Sequence, residues 1–126
     1  MKLSEYLKVF LYHNALKIMR MMTTIKTTEN EQVSFFLKIL RDHFQEITDL
    51  HKVNYLGIFG SYIRNDQKNH SDLDVLVAFN KPPSLFQYIR LESYLSELLQ
   101  VKVDLVMKEA LKPTIGKQIL KEVVEV

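Results

Sequence analysis

The chain has 126 residues, of which 25% are charged and 47% hydrophobic, and this composition excludes disordered and low-complexity proteins. A chain of this length predicts one compact domain with a single core. Cysteine is absent, which excludes a disulfide framework, a thiolate metal site and a cysteine nucleophile. The absence fits a reducing compartment, and the cytoplasm is the expected location.

The formal charge of +2 does not indicate a nucleic-acid partner. Residues 1–22 hold four basic side chains and one acidic side chain, whereas residues 23–126 hold 13 basic and 14 acidic ones. The body of the protein is therefore slightly acidic, and we expect no direct contact with nucleic acid. No apolar run is long enough for a signal peptide or a membrane span, so no membrane partner is expected either.

Helices are predicted in the first half of the chain. Apolar residues recur at helical spacing through residues 3–19 and predict an amphipathic helix, followed by a polar link over residues 23–30. We expect this helix to pack on its own domain, with docking on a partner protein as the alternative. A Thr28–Glu31 capping box predicts the start of a second helix, whose apolar stripe is Val33, Phe36, Leu37, Leu40, Phe44 and Ile47.

Strands are predicted where the hydrophobic period changes. Residues 55–59 predict a short buried strand that ends at Gly60-Ser61, and the apolar run over residues 72–79 is typical of a central strand. A third strand is predicted over residues 101–107, and residues 123–124 are expected to form a closing edge strand.

Two helices are predicted between and after these strands. Ser84 and Gln87 form a capping box that opens one helix, and Pro113 opens a last helix that runs through Leu120. The pattern indicates an α/β (α+β) domain with a mixed sheet of three to four strands flanked by helices, and an extra helix at the N-terminus.

Three aspartates stand at unusual places in the predicted strands. Asp72 and Asp74 open an apolar strand, where side chains at i and i+2 point to one face, about 6–7 Å apart along the chain. Asp104, flanked by Val103 and Leu105, repeats the pattern. A charge in a buried strand is unfavourable unless it is paired, and two carboxylates about 4 Å apart repel by roughly 4 kcal/mol at an effective dielectric near 20.

No basic residue adjoins these aspartates in the sequence, so a divalent cation is the simplest partner. Ligands that are all oxygen favour Mg²⁺ or Mn²⁺. Two such ions held by three aspartates would stabilise the attacking and leaving oxygens of an in-line phosphoryl or nucleotidyl transfer. At Gly60-Ser61, the glycine permits phosphate to approach the backbone, and the serine hydroxyl and following N–H groups can hold its oxygens.

The run Gly60-Ser61-x10-Asp72-x-Asp74, with Asp104 as third acid, resembles the signature of the polymerase-beta-type nucleotidyltransferase superfamily. Residues 60–66 and 71–77 are similar in particular to the minimal nucleotidyltransferases (MNT), the antitoxins of HEPN/MNT toxin–antitoxin pairs. The resemblance covers roughly residues 30–126. It implies a nucleotidyltransferase domain over residues 28–126, preceded by a helical extension and linker over residues 1–27.

The resemblance implies an antitoxin of a type VII-like pair. Such a protein forms a hetero-oligomeric complex with its HEPN ribonuclease toxin and inactivates the toxin by Mg²⁺-dependent transfer of AMP from ATP to a tyrosine. It also implies roles for the motif residues. Gly60 and Ser61 would bind the nucleotide phosphates, Asp72 and Asp74 would ligate both metals, and Asp104 would complete one metal site and accept the proton of the incoming hydroxyl.

Arg64, Asn65 and His70 lie beside the motif residues. Arg64 matches the basic position of the family and would steady the triphosphate, with a surface arginine as the alternative. Asn65 stands where the family often has glycine, and because asparagine tolerates a left-handed backbone we expect the turn to be kept. His70 precedes Ser71-Asp72, and a solvent-exposed loop position is the expectation.

Two other functions remain open at this point. The chain could be a non-catalytic antitoxin that neutralises its toxin by binding alone. It could also be a nucleotidyltransferase that acts on a small molecule or an RNA. The length argues against the second, since such relatives usually carry another domain that holds the acceptor.

Overall fold

The computed structural model describes residues 3–22 and 31–126, with side chains from residue 3 to 15 in the first of these ranges. Its helices are α1 (Leu3–Met22), α2 (Glu31–Asp42), α3 (Phe44–His51), α4 (Ser61–Arg64), α5 (Leu85–Leu99) and α6 (Pro113–Glu122), and a short 3-10 turn covers Lys108–Ala110. Its strands are β1 (Val53–Phe59), β2 (Leu73–Phe79), β3 (Val103–Met107) and β4 (Val124–Glu125).

The four strands form one mixed sheet in the order β3-β2-β1-β4. β1 runs antiparallel to both β2 and β4, whereas β2 and β3 are parallel. The parallel pair requires a crossover, and α5 supplies it. This architecture confirms the predicted α+β domain with a mixed sheet, and β4 is the expected edge strand.

The core lies between the sheet and the helices α2, α3 and α5. Residues from all of these elements have almost no exposed surface, among them Leu40, Ile47, Leu56, Val75 and Leu95. The strand β2 is buried along most of its length. Its central position explains why the sequence shows an apolar run there instead of strict alternation.

The stripe that predicts one helix is divided between α2 and α3 at His43. His43 has φ −105° and ψ 4°, and its Nδ1 lies 2.8 Å from the carbonyl oxygen of Ile39. Backbone bonds nevertheless cross the junction, from His43 to Ile39 at 3.1 Å and from Ile47 to His43 at 2.9 Å. The apolar stripe therefore stays on the same side of α2 and α3, and the bend is confined to the junction at His43.

The predicted helix starts and strand bounds are mostly confirmed. Both hydrogen bonds of the predicted capping box are present. The Ser84 hydroxyl accepts from the Gln87 backbone N–H, and the Gln87 side chain accepts from the Ser84 backbone N–H. The third strand begins two residues later than expected, because Gln100 adopts a left-handed backbone in a turn and the chain bends at Val101. Thr28 and the polar link over residues 23–30 lie outside the described residues.

Helix α1 packs on the rest of the domain through one face. Val9 belongs to the core, the rings of Tyr12 and Phe35 meet edge to face at 6.0 Å, and the hydroxyl of Tyr6 donates to Glu97. The apolar residues Leu3, Leu7, Phe10 and Leu11 remain exposed. Over the described part of the chain, no helix is both long and apolar enough to cross a membrane.

Candidate active site

The sheet register brings the predicted aspartates to one end of the sheet. Asp74 in β2 lies beside Asp104 in the parallel strand β3 and beside Phe59 in the antiparallel strand β1. Asp72 directly precedes β2. The site thus forms where β1 ends and where β2 and β3 begin. Asp72 and Asp74 are half-buried, whereas Asp104 is exposed, which differs from the buried position predicted for it.

The electrostatics of Asp74 reflect this crowding. Burial, together with the neighbouring carboxylates of Asp104 and Asp72, raises the pKa of Asp74 to about 6. The Arg64 guanidinium opposes the shift. The cluster therefore carries a repulsion that a bound cation would relieve.

Lys102 is a basic neighbour that the sequence interpretation missed. Its Nζ lies 3.7 Å from Oδ2 of Asp72. No basic residue adjoins Asp72 in the sequence, but the register brings Lys102, which precedes β3, next to Asp72, which precedes β2. The pair is a weak one, since the lysine side chain is 80% exposed and water screens the attraction.

Gly60 connects β1 to α4 in a conformation that only glycine adopts easily, with φ 84° and ψ −151°. A Cβ on this residue would overlap Oδ2 of Asp74 and lie 3.0 Å from its Cγ. The backbone of the turn therefore lies directly against the aspartate cluster. Ser61, half-buried, begins α4 beside it, so the structure brings the Gly-Ser turn and the aspartates into one site, as predicted.

Arg64 closes the other end of this short helix. Its Nε lies 3.3 Å from Oδ2 of Asp66, and its Nη1 lies 3.1 Å from Oε1 of Glu122. The next residue, Asn65, has φ 59°, so the left-handed turn is kept, as expected from the sequence. His70 is exposed, which agrees with the loop position predicted for it.

Glu122 is the member of this network that sequence reasoning did not identify. It ends α6, and its Oε1 accepts a hydrogen bond of 2.9 Å from the backbone N–H of Gly60. Glu122 is 58 positions away from Arg64, and no local pattern marks it. Glu122 reaches the site because the chain after α6 pairs with β1 as strand β4.

The three aspartates form the donor set that a divalent metal would meet at this site. Three carboxylates supply the oxygen ligands that Mg²⁺ prefers, and their mutual repulsion favours a cation between them. The donor chemistry therefore fits. Within the ranges that the structure describes, however, no three His, Cys, Asp or Glu side chains already converge as metal ligands.

A family comparison agrees with this site. Residues 37–126, which include the turn and all three aspartates, match the family model of the nucleotidyltransferase domain. The chain belongs to that family and is a nucleotidyltransferase. The resemblance inferred from the Gly-Ser and Asp-x-Asp motif is thereby confirmed.

Three known proteins show in more detail what this chain is similar to. The protein adenylyltransferase MntA of Thermococcus cleftensis is 49% identical over 88 residues, which are 70% of this chain and 89% of that protein. A solved structure assigned as a minimal nucleotidyltransferase is 33% identical, with a TM-score of 0.61 over 71% of this chain and 92% of that one. A toxin–antitoxin structure with AMP-PNP is 22% identical, with a TM-score of 0.54 over 78% of this chain and 72% of that one, and shares the fold.

Proposed function

We propose that this nucleotidyltransferase is the antitoxin of a type VII-like HEPN/MNT pair and transfers AMP from ATP to a tyrosine of its HEPN ribonuclease toxin. The observation that carries the proposal is the 49% identity to a protein adenylyltransferase, along 89% of that protein's length. A match over nearly the whole relative favours the same reaction type, since little of the relative lies outside the match.

The turn between β1 and α4 is the proposed phosphate site. Gly60 keeps the backbone free of a side chain next to Asp74, so phosphate oxygens can come close to the cluster. The hydroxyl of Ser61 can donate to one of them. Arg64, at the end of α4, would bind a further phosphate oxygen, and its guanidinium suits that geometry.

The aspartates are the proposed metal ligands. Asp72 and Asp74 would hold two Mg²⁺ ions, with Mn²⁺ as a substitute, and Asp104 would complete one of the two sites. Bound Mg²⁺ would neutralise phosphate charge and lower the pKa of the attacking hydroxyl. Without cations the site carries three carboxylates close to one another, so a triphosphate would be repelled from it.

The proposed reaction is an in-line displacement at the α-phosphorus of ATP. A bond forms between the tyrosine oxygen and the α-phosphorus, and the bond from that phosphorus to the bridging oxygen of the pyrophosphate breaks. The carboxylate of Asp104, the most exposed of the three, would take the phenolic proton. The products are O-adenylyl-tyrosine and pyrophosphate.

The acceptor is expected to come from another protein. The family match covers residues 37–126, and the candidate site lies within this one small domain. The shared fold with a toxin–antitoxin structure that contains AMP-PNP supports a toxin as the partner.

The test is mass spectrometry of a cognate HEPN toxin after incubation with this chain, ATP and Mg²⁺. We expect an AMP-sized mass gain on a toxin tyrosine, and we expect its loss in the double variant Asp72→Ala/Asp74→Ala. Asp42→Asn is the matched control, since Asp42 is an exposed aspartate on α2 whose ion pair within the described residues is with exposed Lys38.

Toxicity in cells separates catalysis from simple binding. If the double aspartate variant still neutralises the toxin and no adduct forms with the wild-type chain, the proposal is wrong and inhibition by binding is the mechanism. If the wild-type chain adenylylates small molecules or RNA ends but not the toxin, the acceptor class is wrong.

A further inference from the structure

Glu122 links the C-terminal end of α6 to both ends of α4. Its carboxylate accepts a hydrogen bond from the Gly60 N–H at 2.9 Å, and Nη1 of Arg64 reaches both of its oxygens, at 3.1 and 3.3 Å. The Glu122 side chain is only 18% exposed. A carboxylate this shielded needs such partners, because burial without them would be strongly unfavourable.

The guanidinium of Arg64 is held on two of its three nitrogens. Nε donates to Asp66 and Nη1 donates to Glu122, whereas Nη2 makes no hydrogen bond to any of the described residues. Because the guanidinium is planar and rigid, bonds at two corners fix the direction of the third. Arg64 therefore keeps one nitrogen, with two N–H donors, for another partner.

This arrangement lies within electrostatic reach of the aspartates. Arg64 lowers the pKa of Asp74, and Glu122 raises it, so both charges act on the same carboxylate. Glu122 therefore adds negative charge to a site that has to accept a triphosphate. A role in positioning Arg64 explains why a carboxylate is present at this point.

We propose that Glu122 is a positioning residue for nucleotide binding: it orients Arg64 so that Nη2 faces a phosphate oxygen, and it holds the Gly60 turn against Asp74. This inference rests on the proposed function, since it assumes that Arg64 binds ATP. Glu122 acts through Arg64 and Gly60 and does not contact the nucleotide.

The affinity of the isolated chain for ATP and Mg²⁺, measured by isothermal titration calorimetry, tests this role. Glu122→Ala is expected to weaken ATP binding about five- to tenfold, because a partly exposed, charge-assisted contact is lost. In transfer assays KM for ATP should rise while kcat changes little. Glu122→Gln should lie between alanine and wild type, because its amide oxygen still accepts the Gly60 N–H.

Two comparisons make the test specific. Glu125→Gln, an exposed glutamate three residues further on, is the matched control and should bind ATP like the wild type. In an Arg64→Ala background, Glu122→Ala should weaken binding by no more than about twofold further, because two residues that act as one unit are not additive.

The outcomes separate this inference from the proposed function. If the wild-type chain does not bind ATP, the proposed function fails and the inference fails with it. If it binds ATP and Glu122→Ala binds equally or more tightly, Glu122 does not position Arg64 and the inference alone is wrong. An equal loss with and without Arg64 would also overturn it. If Glu122→Ala does not fold, the same comparison is made with Glu122→Gln, once in the wild-type chain and once together with Arg64→Ala.

Discussion

Gly60 and Asp74 lie so close together that no side chain fits between them. A Cβ on Gly60 would overlap Oδ2 of Asp74 and come within 3.0 Å of its Cγ, and the backbone at Gly60 has φ 84°. The two halves of the motif, separated in sequence by the x10 spacer, are thus in direct contact. Glycine is required at this position for two reasons. It adopts this backbone conformation easily, and it has no side chain that would collide with Asp74.

Gly60→Ala is therefore expected to abolish ATP binding and transfer. The strained backbone alone should lower the free energy of unfolding by about 1–3 kcal/mol, and Asp74 has to move as well. Titration calorimetry with ATP and Mg²⁺, together with urea unfolding, measures both effects. Gly116→Ala is the control, since Gly116 lies in α6 and requires only a small shift of Leu111. Normal ATP affinity in Gly60→Ala would contradict this prediction.

Asp74→Asn should make the protein more stable and inactive. At neutral pH and without divalent cations, the substitution removes a half-buried charge that Asp104 and Asp72 repel. We expect the free energy of unfolding to rise by on the order of 1 kcal/mol, a value reduced for the exposure of the group. Urea unfolding in EDTA measures the gain, and the adenylylation assay measures the loss. A less stable variant would mean that the Asp74 carboxylate makes a stabilising contact.

Asn65 should be replaceable by glycine but not by alanine. It has φ 59°, and its backbone N–H donates to the carbonyl groups of Ser61 and Tyr62 at the end of α4. Asn65→Ala is expected to cost roughly 1 kcal/mol of stability, the usual penalty for a side chain in this conformation, whereas Asn65→Gly should not destabilise the protein. Thermal unfolding of both variants checks this, with the exposed loop residue Asn69→Ala as control. Equal stability of the alanine and glycine variants would show that the turn is not strained.

Much of the fold could be predicted because its signals are local. The capping box at Ser84 and Gln87 fixes the start of α5, and the apolar run after Asp74 marks the central strand. The bend at His43 could not be predicted, since the stripe from Val33 to Ile47 has one helical period throughout. At the bend the His43 ring contacts the Ile39 carbonyl, and the apolar period continues unchanged across it.

The candidate site was predictable in part for the same reason. Gly60, Ser61, Asp72 and Asp74 form a motif with fixed spacing, so they can be recognised in a single sequence. Glu122 and Lys102 cannot be recognised in this way. Their partners are distant in sequence. The position of α6 in the fold brings Glu122 to Arg64, and the register of β2 and β3 brings Lys102 to Asp72.

His51 should make stability depend on pH. Burial lowers its pKa from the ordinary 6.5, Arg90 lowers it further, and Glu46 opposes the shift; the ring also lies 4.9 Å from that of Tyr94. The unfolded chain therefore binds more protons than the folded one as the pH falls below about 6.5, so stability is complete above that pH and declines beneath it.

Replacing His51 by glutamine should flatten this decline. Urea unfolding at a series of pH values between neutral and weakly acidic measures the slope, and His70→Gln, a substitution in an exposed loop, is the control variant. An unchanged slope in His51→Gln would assign the acid sensitivity to other groups.

The edge strand β3 is protected by side chains of α5. Ser96 accepts from the Val103 N–H at 3.0 Å, Glu92 accepts from the Leu105 N–H at 3.1 Å, and the Tyr88 hydroxyl donates to the Leu105 carbonyl. These three helix positions are four residues apart and share one face. They satisfy backbone groups that an edge strand would otherwise present to water or to another chain.

Ser96→Ala should therefore expose one point of this edge. We expect a loss of about 1 kcal/mol in the free energy of unfolding, the typical contribution of one such hydrogen bond. Amide hydrogen exchange is expected to become faster at Val103, while Leu105, still bound to Glu92, serves as an internal reference. Ser93→Ala, an exposed position on the same helix, should change neither value. Unchanged exchange at Val103 in Ser96→Ala would mean that the serine does not protect this strand. Because Asp104 lies between the two protected amides, a loosened edge should also lower the rate of AMP transfer.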